Sequence, residues 1–307
     1  MEALYHVPVM LDEVVRYLLT DPGGIYVDAT VGGGGHAEAI CNRLNAAGRL
    51  ICFDVDEKAI ELSRARLKRF QERVSMVHSN FGNLKTDPEP VVAGRIHGLL
   101  LDLGVSSFQL DEGSRGFSFR VDERIDMRMD RQQLLSGWDV VNTYEEKALA
   151  KILWEYGEER NSRRLAKRIV ECRPVHTTGA LSHIVEVTVG KRFLTKTLAR
   201  VFQAIRIEVN SELENLKTVL TDSIDLLAYG GRIVVISYHS LEDRVVKSIL
   251  KEETVRTTPS VNMYVANEEG PHRLRLLTKK PVRPTASEVQ RNPRSRSARM
   301  RVAERIP

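Results

Sequence analysis

Residues 25–36 read Ile25-Tyr26-Val27-Asp28-Ala29-Thr30-Val31-Gly32-Gly33-Gly34-Gly35-His36, an apolar run that ends in an acid and opens into four consecutive glycines. The apolar half predicts a β-strand over residues 25–29, and the spacing beyond the glycines predicts a helix over residues 35–44. Four residues without a Cβ let backbone lie directly against a ligand and aim N–H groups at it from a helix N-terminus. A glycine-rich turn is by itself common. Its position after a strand gives it weight, because ligands of open α/β sheets bind beyond the carboxyl ends of the strands, where strand order reverses.

Outward from this turn the same alternation continues. Residues 50–55 (LICFDV), 74–78 (VSMVH) and 96–103 (IHGLLLDL) predict further strands, with a helix over residues 57–70. Runs this rich in Val, Ile and Leu are expected where helices cover both faces of a parallel sheet. After Asp102 the pattern stops. Residues 106–206 carry almost no strand signal, and helical spacing dominates at 144–156 and 160–172. A helix over 211–228, stopped by Gly230-Gly231, precedes a last strong strand at 231–237 (GRIVVIS). The order predicts an α/β domain in two parts, residues 1–106 and 207–307, around a helical insertion at 107–206.

Composition bounds the function. The chain has 307 residues, 42% hydrophobic and 28% charged, which excludes wholesale disorder. Its longest apolar stretches are strand-sized, and residues 1–10 carry an acid and no apolar core, so neither a membrane span nor a signal peptide is expected. Three cysteines (Cys41, Cys52, Cys172) without CxxC or CxxH spacing argue against a disulfide scaffold or a zinc ribbon and for a cytoplasmic protein. No metal-ligand spacing is present. The net charge of +5 hides an asymmetry: residues 160–206 and 273–307 each hold 11 Lys/Arg against 2 acids. Two such segments on an otherwise acidic chain point to a polyanionic partner.

Several acids and aromatics fall where strands end. Asp54 closes the second strand, where a carboxylate can accept both hydroxyls of an adenosine ribose, while Asp56 is better placed to cap the next helix. Phe81 follows the third strand, either against an adenine or in the core. Asp102 ends the fourth after an apolar run, an ionisable group costly to bury without purpose. Gly32, Gly34 and Ala37 satisfy the permissive form of the dinucleotide fingerprint, so a nicotinamide cofactor is one candidate. Asp28 argues for the other, S-adenosyl-L-methionine, because an acid before the turn repels a pyrophosphate and attracts the cationic methionine end.

Nine motifs then occur in order: HVPVML (6–11), DATVGGGGH (28–36), LLLDLGVSS (99–107), RGFSF (115–119), DMRMD (126–130), YGEER (156–160), FQAIRIEVN (202–210), SYHSLEDR (237–244) and NPRSRSA (292–298). Together they resemble the bacterial 16S ribosomal RNA cytosine-N4 methyltransferase family (RsmH/MraW type) over essentially the whole chain. The resemblance implies a class I S-adenosylmethionine-dependent methyltransferase, Rossmann-like and doubly wound, with an inserted all-helical domain that recognises the substrate. It implies N4-methylation of a cytidine in the decoding region of 16S rRNA, with the 30S subunit as partner and neither membrane nor metal required. The family's cofactor contacts carry over onto Gly34, Gly35, His36, Asp54, Phe81, Asp102 and Gln109. Family members commonly read GVSSPQLD, where this chain has Phe108 before Gln109.

The cytosine amine is a poor nucleophile because its lone pair is delocalised into the ring. A group that accepts one of its N–H bonds localises the pair and absorbs the charge that develops. Asp102 is the expected catalytic acceptor, with the backbone of Leu103-Gly104, or Ser106 and Ser107, as alternatives. The (D/N/S)-P-P-(Y/F/W) motif of DNA amino-methyltransferases is absent. Phe108, Phe117 and Phe119 are candidates for holding an unstacked base or for anchoring the insertion. His239 either contacts RNA or belongs to a helix cap formed through Ser240. The basic insertion and a basic C-terminal tail at 294–301 are expected to contact phosphates.

Overall fold

The computed structural model describes residues 8–86, 95–105, 115–254 and 272–307, with the backbone alone of 257–258 and 268–269. In chain order the principal elements are α1 (Leu11–Leu18), β1 (Ile25–Asp28), α2 (Gly35–Cys41), β2 (Arg49–Asp54), α3 (Glu57–Arg66), β3 (Val74–His78) and β4 (Ile96–Asp102). Helices α4 (Gly137–Thr143), α5 (Glu146–Glu155), α6 (Ser162–Glu171), α7 (Thr178–Val189) and α8 (Leu194–Asn210) follow. The chain closes with α9 (Glu212–Leu226), β5 (Leu227–Ser237), α10 (Ser240–Glu252), β6 (Leu274–Leu276), α11 (Ala286–Arg291) and β7 (Arg299–Arg305).

Two compact units result, one of residues 1–104 with 213–307 and one of residues 105–212. The second division falls between 212 and 213, just beyond α8, which runs unbroken to Asn210 and is capped by Ser211 in a left-handed conformation (φ 50°).

The first unit is built on a seven-stranded sheet of order β3-β2-β1-β4-β5-β7-β6. Strands β1 to β5 pair in parallel, and β7 runs antiparallel to both β5 and β6. This is the class I S-adenosylmethionine-dependent methyltransferase arrangement. Alternate residues of each strand face opposite sides, so each face has its own core. Val27, Phe53, Leu99, Leu101, Ile233 and Val235 pack with Leu216, Val219 and Leu220 of α9 and Val246 and Leu250 of α10. Tyr26, Leu50, Cys52, Leu100, Val234 and Ile236 pack with Val14 and Leu18 of α1, Ala37 and Ile40 of α2, and Ile60 of α3. Burial on both faces explains why the strands read as continuous apolar runs.

Two expectations need correction here. Gly230-Gly231 does not stop a helix. Helix α9 ends at Leu226, and the glycines lie inside β5, where its register against β4 shifts between Ile96 and Gly98. Gly230 takes φ 79°, and a Cβ on Gly231 would stand 2.7 Å from the Ile96 carbonyl oxygen, so the irregularity requires both. The basic C-terminal segment is also not simply a tail. Met300, Val302 and Ala303 are fully buried in β7, and Arg299 and Arg301 bind Asp243 at 3.1 and 2.6 Å.

The second unit is helical. Leu149 and Leu153 of α5, Leu165 and Ile169 of α6, Leu181 and Val185 of α7, and Val201, Phe202 and Ile205 of α8 form its core. Phe117 is buried there, and Phe119 meets Phe202 edge-to-face at 5.5 Å. Both aromatics therefore anchor this unit.

Candidate active site

Strand order reverses between β1 and β4, so the crevice beyond their carboxyl ends is where such a sheet binds a ligand. Asp28, Asp54 and Asp102 are the last residues of β1, β2 and β4, and parallel pairing brings all three to that edge. The glycine turn leaves β1 at the same place. Gly32 and Gly34 take positive φ (50° and 75°), and Gly34 is the N-cap of α2. The turn is fixed from α3: the Ser63 hydroxyl donates to the Gly32 carbonyl at 2.7 Å, and the Arg66 guanidinium to the Gly33 carbonyl at 3.1 Å.

Asp54 faces this turn. Its Oδ2 accepts the Gly32 N–H and its Oδ1 the Asp56 N–H, each at 2.9 Å. Asp56 caps α3 by accepting the Lys58 N–H, the division of labour the sequence suggested. Burial raises the Asp54 pKa from 3.8 to about 6, against the pull of those N–H groups. A carboxylate has about four acceptor sites, so the backbone N–H groups it accepts leave it capacity for a ligand hydroxyl.

Asp28 is 1% exposed, and burial raises its pKa from 3.8 to about 7, with His36 acting in the opposite direction. Its Oδ1 accepts the Thr30 N–H at 3.2 Å, whereas its Oδ2 has no hydrogen-bond partner. Both ring nitrogens of the buried His36 likewise lack a hydrogen bond, although Nε2 stands 3.5 Å from Asp102 Oδ2. Buried polar atoms without partners are costly and mark a place where a polar ligand belongs. A Cβ on Gly33 would meet nothing within 4 Å, so the turn has room beside it. Acidic groups, orphaned polar atoms and an open glycine cradle suit a ligand with a cationic end and hydroxyls, as S-adenosylmethionine has, and oppose a pyrophosphate.

Asp102 is held from two sides. Its N–H donates to Thr30 Oγ1 at 2.7 Å, and its Oδ1 accepts the Tyr238 hydroxyl at 2.8 Å. Burial and the Asp102 charge push the Tyr238 phenol well above its usual pKa, so it stays protonated and donates. Asp102 Oδ2 accepts no hydrogen bond among the described residues, although His36 Nε2 stands 3.5 Å from it.

Of the expected site residues, Gly34, Gly35, His36, Asp54 and Asp102 therefore lie together around the turn and the adjoining strand ends. Phe81 follows β3 in a short 3-10 turn (Phe81–Asn83), half-buried against the core of one sheet face. Gln109, with Ser106, Ser107 and Phe108, lies outside the described residues. His239 is itself the N-cap of α10, paired with Glu242 in a capping box, rather than Ser240. Sequence reasoning missed Tyr238 and Thr30 as supports of Asp102. The signal for Tyr238 was its position just past β5, which pairs with β4 so that Ile236 lies opposite Asp102.

The family described as the MraW methylase family matches residues 3–306. The chain is 46% identical over 304 residues to the ribosomal RNA small subunit methyltransferase H of Dehalococcoides mccartyi, covering 98% of this chain and 86% of that protein. It is 46% identical over 305 residues to the protein of the same name from Caldicellulosiruptor saccharolyticus, covering 98% and 99%. The counterpart from Brevibacillus brevis is 42% identical over 310 residues, covering 99% of each. Among solved structures, an rRNA methylase from Streptococcus thermophilus aligns over 97% of this chain and 94% of its own at 12% identity and a TM-score of 0.41, too distant to bear on function. Matched over nearly its full length, this chain belongs to the MraW methylase family.

Proposed function

We propose that this chain transfers a methyl group from S-adenosylmethionine to the exocyclic N4 of a cytidine in the decoding region of 16S rRNA, on the 30S subunit. Family membership supports an S-adenosylmethionine-dependent methyltransferase acting on small-subunit rRNA. The observation that carries the choice of an amine is Asp102, fixed at the end of β4 with Oδ1 held by Tyr238 and Oδ2 accepting no hydrogen bond among the described residues, beside His36 Nε2 at 3.5 Å.

The cofactor, when bound, supplies an electrophilic methyl on a positively charged sulfur. Asp28, His36 and the glycine turn would hold its polar methionine end, Asp54 would accept its ribose hydroxyls, and Phe81 and Gln109 would complete that set. Asp102 Oδ2 accepts one N4–H of cytosine, which localises the amine lone pair and orients it for in-line attack. As the N–CH3 bond forms, the S–CH3 bond of the methyl donor would break with its electron pair left on a neutral sulfur, and the amine would pass one proton to Asp102 Oδ2. Tyr238 keeps Oδ1 engaged throughout, so the carboxylate cannot rotate away from the amine.

Labelled S-adenosylmethionine incubated with 30S subunits from a strain lacking this gene tests the reading, with free 16S rRNA and tRNA alongside and nucleoside mass spectrometry as the readout. The expected result is N4-methylcytidine in 30S particles. No label on any RNA despite bound cofactor overturns the reaction, and label on another atom or another RNA overturns the target.

A further inference from the structure

The helical unit carries an exposed aromatic that its fold does not use. Phe193 is 54% exposed and is the only exposed phenylalanine among those described. It ends the short 3-10 turn Lys191–Phe193 between α7 and α8, at the tip of the hairpin these helices make. Gly190 opens the turn at φ 77°, and a Cβ there would meet nothing within 4 Å.

The sequence around this ring is cationic. Residues 187–207 contain no acid and five Lys/Arg (Lys191, Arg192, Lys196, Arg200 and Arg206). Arg200 and Arg206 are neutralised by Glu159 and Glu212. Lys191, Arg192 and Lys196 are exposed and have no carboxylate partner among the described residues. The Arg192 guanidinium lies over the Phe193 ring, 5.4 Å from its centroid. One guanidinium covers only one face of a ring, and the residue remains half open to water.

An exposed ring among unpaired cations is the pattern that binds single-stranded nucleic acid. Cations engage the phosphates, and the ring stacks on an unpaired base. An acidic peptide satisfies the cations but gains nothing from a flat aromatic, whereas duplex RNA keeps its bases stacked and unavailable. We propose that the α7–α8 tip is an RNA-binding element in which Phe193 stacks on an unpaired base of the substrate while Lys191, Arg192 and Lys196 hold the neighbouring phosphates. The proposal deepens the rRNA reading and rests on it.

Phe193→Trp and Phe193→Ala in the full chain test it. Because the side chain is exposed, both proteins are expected to melt at the parental temperature. A short single-stranded oligoribonucleotide should quench the emission that F193W adds to the parental tryptophans, and heparin, a polyanion without bases, should not. F193A should bind the oligonucleotide about 10-fold more weakly and raise KM for 30S subunits in proportion, with S-adenosylmethionine affinity unchanged. Equal quenching by heparin, or parental RNA affinity in F193A, overturns the stacking role. If the parent methylates 30S subunits while both variants behave as parent, this inference alone fails. If F193W is quenched by RNA but the parent methylates none, the catalytic reading alone fails.

Discussion

At the scale of single residues, Asp102 is defined by what its two oxygens do. Oδ1 receives the Tyr238 hydroxyl while Oδ2 accepts no hydrogen bond among the described residues and faces His36 Nε2 at 3.5 Å, an asymmetry that turns a flexible carboxylate into a directed acceptor. A hydrogen bond to a charged group contributes roughly 1.5–3 kcal/mol. Tyr238→Phe is therefore expected to lower kcat on 30S subunits by about 10- to 100-fold while leaving S-adenosylmethionine affinity near parental. If Tyr238 acts through Asp102, adding Tyr238→Phe to Asp102→Asn costs little more, because residues of one network are not additive. Steady-state kinetics on the four proteins decide it, and full additivity, or a Tyr238→Phe protein with parental kcat, counts against the positioning role.

At the scale of elements, the turn between β1 and α2 separates two demands on glycine. Gly34 has φ 75°, and its missing Cβ would lie 3.1 Å from Ser63 Oγ, the group that fixes the turn. Left-handed backbone costs a residue with a Cβ roughly 1–2 kcal/mol. Gly34→Ala should lower the melting temperature and weaken cofactor binding together. Gly33 has open space where a Cβ would point and no positive φ. Gly33→Ala should keep the parental melting temperature yet bind S-adenosylmethionine more weakly, because the new methyl enters the cradle. Calorimetry of unfolding and of binding separates the two, and a Gly33→Ala protein with parental affinity shows that the cofactor does not approach there.

At the scale of the whole molecule, the acids at the sheet edge oppose stability. Asp28 has a pKa of about 7 in the folded chain against 3.8 unfolded, so between those values the folded state binds a proton that the unfolded state does not. The ligand-free protein therefore loses stability as pH rises from about 4 to about 7, by roughly 4 kcal/mol at most at about 1.4 kcal/mol per unit. Asp243 has the opposite sign. Burial raises its pKa, but Arg301 and Arg299 more than offset that and hold it below 3.8, so its contribution is present at neutral pH and lost in acid. Asp28→Asn is expected to raise the melting temperature of the free protein at pH 8, change it little at pH 4 and below, and weaken S-adenosylmethionine binding. Parallel melting curves of the two proteins across that range contradict the assignment.

Much of this was legible in the sequence because it is local. The end of each apolar run marks the end of a strand, and in a parallel sheet those ends share one edge, so Asp28, Asp54 and Asp102 fall beside the glycine turn by chain direction alone. The ordered motifs carried the family. Other features depended on residues far apart in sequence meeting in space. Tyr238 reaches Asp102 across 136 residues because β5 pairs with β4 in one particular register. The arginines of 299–301 read as tail charge until β7 threads between β5 and β6 and places them against Asp243. Phe117 and Phe193 are both phenylalanines beside cations in sequence, but one is buried in a core and the other stands in solvent. Periodicity and residue type determine what a segment becomes, whereas burial and partners are set by register and packing, which no local window contains.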